Sequence, residues 1–147
     1  MRIRLPRLRA VKPVLPRLGR SLGRSLGYSP QDDGEPDPGE VVWAWVPYEE
    51  DPAQGKDRPV LVIGLDGDRL LALGLTSQDH DVDAEQESRE GREWMDIGTG
   101  AWDREGRPSE VRLNRVLRLD PAGVRREGAA LPRDVFDAVL EAARPYL

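Results

Sequence analysis

In the stretch "QGKDRPVLVIG", Gln54 to Gly64, Arg58 stands just ahead of an apolar run that begins at Val60. An arginine held by a sheet on one side and exposed on the other is well placed to touch a ligand. Its planar guanidinium fork matches carboxylate or phosphate oxygens two at a time, and it stays protonated without any tuning of its pKa. Thr76 ends the next apolar run, "LLALGLTSQ", and offers a hydroxyl. Alone, Thr76 is an ordinary strand-end residue, and composition alone makes Arg58 a surface arginine paired with a nearby acid. The segment between them joins the two into a candidate site. Asp66-Gly67 accepts the positive φ angles of a tight hairpin turn. With about eight residues on each arm, Arg58 and Thr76 then lie at the same end of adjacent antiparallel strands and can converge on one ligand.

Other chemistries find less support. His80 is the only histidine, which excludes a two-histidine acid–base ribonuclease. It follows "LTSQD" closely, but a loop histidine among aspartates is ordinarily just solvated. The absence of cysteine removes disulfides, thiolate metal sites and a cysteine nucleophile, and agrees with a reducing compartment. "DHDVDAEQESRE" sets Asp79, Asp81, Asp83, Glu87 and Glu90 at the spacing of a calcium loop. Ala84 replaces the turn glycine, and the segment leaves a strand rather than a helix, so a solvated acidic loop is the better reading. Trp94 and Trp102 offer flat surfaces for unstacked bases, and Trp102, in the loop "GAWDREGRP", is the better candidate. For Trp43 and Trp45 packing inside a barrel is the default, and core packing is the bland alternative for Trp94. Gly98, Gly100 and Gly106 lack the strand-to-helix context of a phosphate cradle.

The elements that must position these residues follow from periodicity. In "EVVWAWVPY" Val41, Trp43 and Trp45 alternate with Val42, Ala44 and Val46, as in a strand, and Pro47 ends it. Two runs joined through Asp66-Gly67 form the hairpin. "EWMDIG" reads as a short strand, "TGAWDREGRPS" as a Gly-rich turn region and "EVRLNRVLRLD" as a longer strand. The apolar set of that last strand changes phase between Leu113 and Val116, which suggests a bulge or sharp bend near Asn114 and Arg115. Pro132 opens a helix with Val135, Phe136, Val139, Leu140 and Ala143 on one face. The fold class is mainly β: about five strands, closed by one C-terminal amphipathic helix, in a small and strongly bent barrel.

Charge divides the chain. Residues 1–28 contain Arg2, Arg4, Arg7, Arg9, Lys12, Arg17, Arg20 and Arg24 and no acid, which leaves 14 basic against 27 acidic residues in 29–147, a net of −13. Pro6, Pro13 and Pro16 break any long helix, and "LGRSLGRSLG" has the composition of a flexible segment. Residues 1–38 are expected to be a disordered basic tail with the acidic linker "SPQDDGEPDPG", and 39–147 the folded domain. The tail is either a solvated extension or an arm attracted to RNA or an anionic membrane surface. No apolar run reaches the roughly 18 residues of a membrane span, and no secretory signal opens the chain, so a cytoplasmic protein without stable membrane insertion is expected.

Over about residues 38–147 the order of these pieces resembles the MazF/PemK toxin family, SH3-like-barrel endoribonucleases of bacterial toxin–antitoxin modules. "PGEVVWAWVPY" is similar to that family's opening strand and "QGKDRPVLVIG" to its Arg-Pro motif. "LTSQ" is similar to its Thr-Ser/Ala-Gln strand end, and "VRLNRVLRLD" with the terminal helix to its last third. The resemblance implies that Arg58 and Thr76 are catalytic. It sets Gln54 in the active-site loop, and with Gln54 the residues Lys56, Ser77, Gln78, Trp102 and Arg115 are expected to contact substrate. Relatives often carry glutamate where this chain has Ala53, so the role of that carboxylate is missing or has moved. What the resemblance implies further is a homodimer that cuts single-stranded RNA or mRNA with neither metal nor other cofactor, restrained by a cognate antitoxin. Two rivals share the barrel. A gyrase-poisoning toxin would act through its C-terminal helix, yet "ARPYL" lacks a tryptophan-rich end. A catalytically degenerate binding module suits the acidic body, because a net −13 repels a polyanion unless the groove is locally basic, with Arg58, Arg112, Arg115 and Arg118 as suppliers.

Overall fold

The structure, a computed structural model, describes residues 24–30, 36–77, 91–125 and 129–147. Among them are six strands: β1 (Arg24–Leu26), β2 (Val41–Pro47), β3 (Gly55–Asp66), β4 (Arg69–Thr76), β5 (Trp94–Gly98) and β6 (Ser109–Leu119), followed by helix α1 (Arg133–Ala143). All pairings are antiparallel, in the order β1-β3-β4-β6-β5, and β2 also pairs with β3. The sheet curls into the half-barrel expected of a small bent β fold.

Side-chain alternation builds a core on each face of the sheet. Leu61, Ile63, Leu71, Leu73 and Leu75 face α1, where they meet Phe136, Val139, Leu140 and Ala143. Val42, Ala44, Val46, Val60, Val62, Ala72 and Leu117 form a second cluster on the other face. Strand β3 is apolar on both faces in its middle, which accounts for the unbroken run "VLVIG". Pro132 immediately precedes α1, and its fixed φ of −60° is already that of a helix. The β3–β4 turn falls on Gly67-Asp68, one residue later than the sequence suggests. Gly67 alone takes a positive φ, 66°, at the first of the two loop positions, as a type II′ turn requires.

The expected bend in the last strand is present. Leu73 pairs with Val116 and Leu75 with Val111, so β6 spends five residues where β4 spends two. One expectation fails at the other end of the fold. Residues 24–30 belong to the body, not to a tail that ends at residue 38. Ser25 pairs with Leu65 in β3, and Tyr28 donates to the Leu131 carbonyl at 2.7 Å and packs on Phe136. Asp37, Pro38 and Gly39 are buried too. Small and polar residues hid this attachment, because β1 is only three residues long and its pairing is with a distant strand.

Candidate active site

Arg58 sits inside β3, because the strand starts at Gly55 and not after the arginine as the sequence suggested. It pairs with Ala44 across β2, and its side chain shares a face with Val60 and Val62. On β4 the same face carries Ala72, Gly74 and Thr76. Val60 pairs with Gly74, and extending that register by two residues sets Arg58 opposite Thr76. The two residues do lie at one end of adjacent strands. Gly74 helps them meet. A Cβ there would lie 3.9 Å from the Arg58 Cδ, so the arginine stem runs directly over the glycine.

Both residues open into one cleft of about 300 Å³, which is also lined by Pro47, Tyr48, Glu49, Glu50, Arg92, Trp94, Arg112 and Arg115. The bend in β6 supplies two of these arginines. In a regular strand residues 112 and 115 point to opposite faces, but the register shift turns both toward the cleft. Arg115 donates to the Pro47 carbonyl at 2.8 Å, and so ties β6 to the end of β2. Arg112 is 9 % exposed and thoroughly held. It donates to Asn114 Oδ1 at 2.6 Å and to both oxygens of Glu49 at 3.1 and 3.3 Å. Asn114 in turn accepts from the Glu93 amide and donates to the Gly91 carbonyl, fixing the start of β5 beside the cleft.

Arg58 differs from these. Among the described residues its guanidinium has no hydrogen-bond or ion-pair partner, although it is half-buried. Burial lowers its pKa, the nearby Tyr48 pulls the other way and Arg115 adds to the lowering. An arginine so placed remains a cation. Among the described residues four arginines and two glutamates line the cleft, so that lining is net positive on an acidic body.

The remaining candidates divide. Trp94, half-buried, lines the cleft. Trp102 does not, which corrects the expectation that its face is offered to a base. It is 4 % exposed, joins the helix-side core, lies against Gly100 and donates from Nε1 to Ser109 Oγ at 2.9 Å. A loop position in the sequence concealed a tryptophan whose N–H has a buried partner. Trp45, in contrast, is not packed inside: it is 52 % exposed and rests over Gly55, on the face of β2 opposite the buried Val42, Ala44 and Val46. Ser77 follows Thr76 and so faces the opposite side, in a second cleft with Trp43, Pro59, Trp102 and Arg125. Gln54 and Lys56 are exposed beyond the lining of the first cleft, and Gln54 closes the β2–β3 loop by accepting from the Tyr48 amide at 2.8 Å. Gln78, His80 and the acids from Asp79 to Glu90 lie outside the described residues.

Sequence reasoning missed Tyr48, Glu49 and Arg92, which carry no motif of their own. Arg112 entered it only as a source of positive charge. Among the described residues no group of three or more His, Asp or Glu side chains is placed to hold a metal ion. A family model described as PemK-like, MazF-like toxin of type II toxin-antitoxin system matches residues 37–147. No curated protein matches the chain.

Proposed function

The chain belongs to the PemK-like, MazF-like toxins of type II toxin–antitoxin systems, and from that premise we propose that it is a metal-independent endoribonuclease that cuts single-stranded RNA. The observation that carries this reading is the meeting of Arg58 and Thr76 in one positively lined cleft, with the Arg58 guanidinium lacking a side-chain partner among the described residues. A cation in a cleft, without a partner among the described residues, suits an anionic ligand, and phosphodiesters present the paired oxygens that guanidinium binds best.

In the proposed reaction the RNA's 2′-oxygen forms a bond to the adjacent phosphorus as its proton departs. The bond from phosphorus to the 5′-oxygen breaks, and that oxygen takes up a proton. The products end in a 2′,3′-cyclic phosphate and a 5′-hydroxyl. Negative charge grows on the non-bridging oxygens between these states, and Arg58 is pre-placed to stabilise it without reorganisation. Thr76 hydrogen-bonds the phosphate and holds it for in-line attack. Arg115, anchored at Pro47, contributes field beside Arg58. Trp94 offers a stacking surface within reach of the cleft.

Membership of a type II system makes an antitoxin the natural partner. In this proposal its extended segment competes with RNA for the cleft, the toxin acts as a homodimer, and the compartment is the cytoplasm. The gyrase-poison alternative finds little support at the C-terminus. Tyr146 donates to Glu93 at 2.7 Å and Leu147 packs on the core, so the end of the chain is fastened to its own body.

The test is cleavage of a single-stranded RNA of mixed sequence by the wild-type protein and by Arg58→Ala. Loss of one preorganised electrostatic donor should slow cleavage by about 10²–10³-fold with the fold intact. Equal rates, with unchanged thermal unfolding, would remove Arg58 from the mechanism. RNA binding without cleavage in the wild type would favour the degenerate binding module.

A further inference from the structure

The Arg58 cleft has a second end, and there an anion is already in place. The carboxylate of Glu49, from the β2–β3 loop, makes two hydrogen bonds to Arg112, at 3.1 and 3.3 Å, and stands 3.9 Å from Arg92. Arg112 itself is nine-tenths buried, with its Nε fixed by Asn114 at 2.6 Å. Two oxygens gripped by one planar fork, with a second guanidinium alongside, is the arrangement a phosphodiester would take. Arg115 bridges the two ends, since its charge is felt by Arg58 on one side and by Glu49 on the other.

We propose that Arg112 and Arg92 form a second phosphate subsite, next to the one at Arg58 and Thr76, and that Glu49 occupies it in the free protein as an internal stand-in for an RNA phosphate. This rests on the endoribonuclease reading and deepens it: the ligand is the phosphodiester neighbouring the one that is cut. The geometry separates the two ends by rigidity. Arg112 and Asn114 belong to a strand, whereas Glu49 is half-exposed on a seven-residue connection between Tyr48 and Gln54. The receptor is therefore pre-built and its occupant is the part able to leave. Protonation does not release it near neutral pH, because the hydrogen bonds from Arg112 hold the Glu49 carboxyl below its ordinary range, outweighing the opposing effect of burial. Displacement by a polyanion remains. The contact thereby makes a lone small anion a poor competitor and a chain of phosphates an effective one, since the chain is already held at Arg58 when it meets Glu49.

The test uses full-length protein and a short 2′-O-methyl oligoribonucleotide, which cannot be cut, with binding followed by fluorescence anisotropy over a salt series. Glu49→Gln keeps the side-chain shape and removes the charge. It should tighten binding about tenfold at low salt, and steepen the log–log salt dependence by about 0.7, the increment for one more single-strand phosphate neutralised without a carboxylate being set free. Glu50→Gln removes an equal charge from the same cleft but frees no guanidinium among the described residues, so it should leave the slope as in the wild type. Inorganic phosphate supplies an independent readout. In Glu49→Gln it should shift the NMR resonance of the Arg112 Nε–H at concentrations that leave the wild type unmoved. Equal slopes for the wild type and both variants, or an Arg112 resonance that phosphate never shifts in Glu49→Gln, would overturn the subsite while RNA cleavage by the wild type left the endoribonuclease reading standing. A phosphate response at Arg112 with no binding of the oligoribonucleotide to any of the proteins would overturn the assignment of the subsite to RNA.

Discussion

A guanidinium drawn half out of water with no carboxylate partner among the described residues is costly to maintain, and Arg58 is held in that condition by the strand beneath it. Its neighbours show the contrast. Arg112 has Glu49 and Asn114, Arg115 has the Pro47 carbonyl, and Arg125 has Asp57. Thr76 completes the pair, and Thr76→Val tests it with little disturbance, since valine fills the same volume and favours strands. Loss of one hydrogen bond to a charged group, about 1.5–3 kcal/mol, predicts cleavage slowed by about 10- to 100-fold with the melting temperature nearly unchanged. A fully active variant would reduce Thr76 to a structural residue. Glu49 has a separate signature in acid. Its folded pKa lies below the ordinary 4.5, chiefly through hydrogen bonds from Arg112, so its contribution to stability is complete above 4.5 and is lost as pH falls through the lower folded value. Below 4.5 the wild-type melting temperature should therefore fall more steeply with pH than that of Glu49→Gln. Parallel curves would show that the Glu49–Arg112 contact does not persist in solution. At this scale the sequence was informative where a residue type had one good use. The convergence of Arg58 and Thr76 on one cleft was legible because the hairpin fixes which strand ends meet, while Trp102 was misread because its packing in the core is non-local.

Strands position the site, and two of their irregularities matter most. The bend in β6 was visible as a change of apolar phase between Leu113 and Val116, and it brings Arg112 and Arg115 to one face. The strand β1 was invisible, because three residues of Arg-Ser-Leu carry no periodic signal and gain their place only by pairing with Gly64–Asp66. Gly64 makes room for it: a Cβ there would come to 2.3 Å of the Ser25 carbonyl oxygen and 2.7 Å of a Leu26 methyl carbon. Backbone on one side of that clash cannot rotate away. Gly64→Val should therefore displace β1 and destabilise the fold by about 1–3 kcal/mol, the usual cost of overpacking. Amide hydrogen exchange at Gly27, whose N–H donates to the Ile63 carbonyl at 3.2 Å, should rise toward that of unprotected backbone, whereas cleavage should survive, since Arg58 and Thr76 lie at the opposite end of the β3–β4 hairpin from β1. Retained protection at that amide would mean that β1 is held by Tyr28 and the core alone.

Taken whole, the molecule sets a positive cleft in an acidic body and carries a basic segment ahead of it. Residues 29–147 sum to −13, which should repel RNA at long range, yet the cleft lining among the described residues presents four arginines to two glutamates. Residues 1–23 add Arg2, Arg4, Arg7, Arg9, Lys12, Arg17 and Arg20 and lie outside the family match. Their removal should weaken RNA binding at low salt and flatten its salt dependence while the cut positions stay the same, because such contacts hold the backbone and carry no base information. An unchanged salt slope would show that the segment does not meet the substrate. Charge and composition made this division plain in the sequence. Which face of the sheet the arginines line was not plain, because it depends on the register shift between β4 and β6.

In the proposed reaction the RNA supplies its own nucleophile while Arg58 and Thr76 stabilise and orient the phosphate. The most direct measurement is end-group analysis of a single-stranded RNA cut in excess EDTA, alongside the same oligonucleotide with one 2′-deoxy sugar on the 5′ side of the cut. Cleavage that persists under chelation, leaves a 2′,3′-cyclic phosphate and a 5′-hydroxyl, and fails entirely on the deoxy substrate is the predicted result. Cleavage abolished by EDTA and restored by magnesium, or cutting of the deoxy substrate, would contradict it.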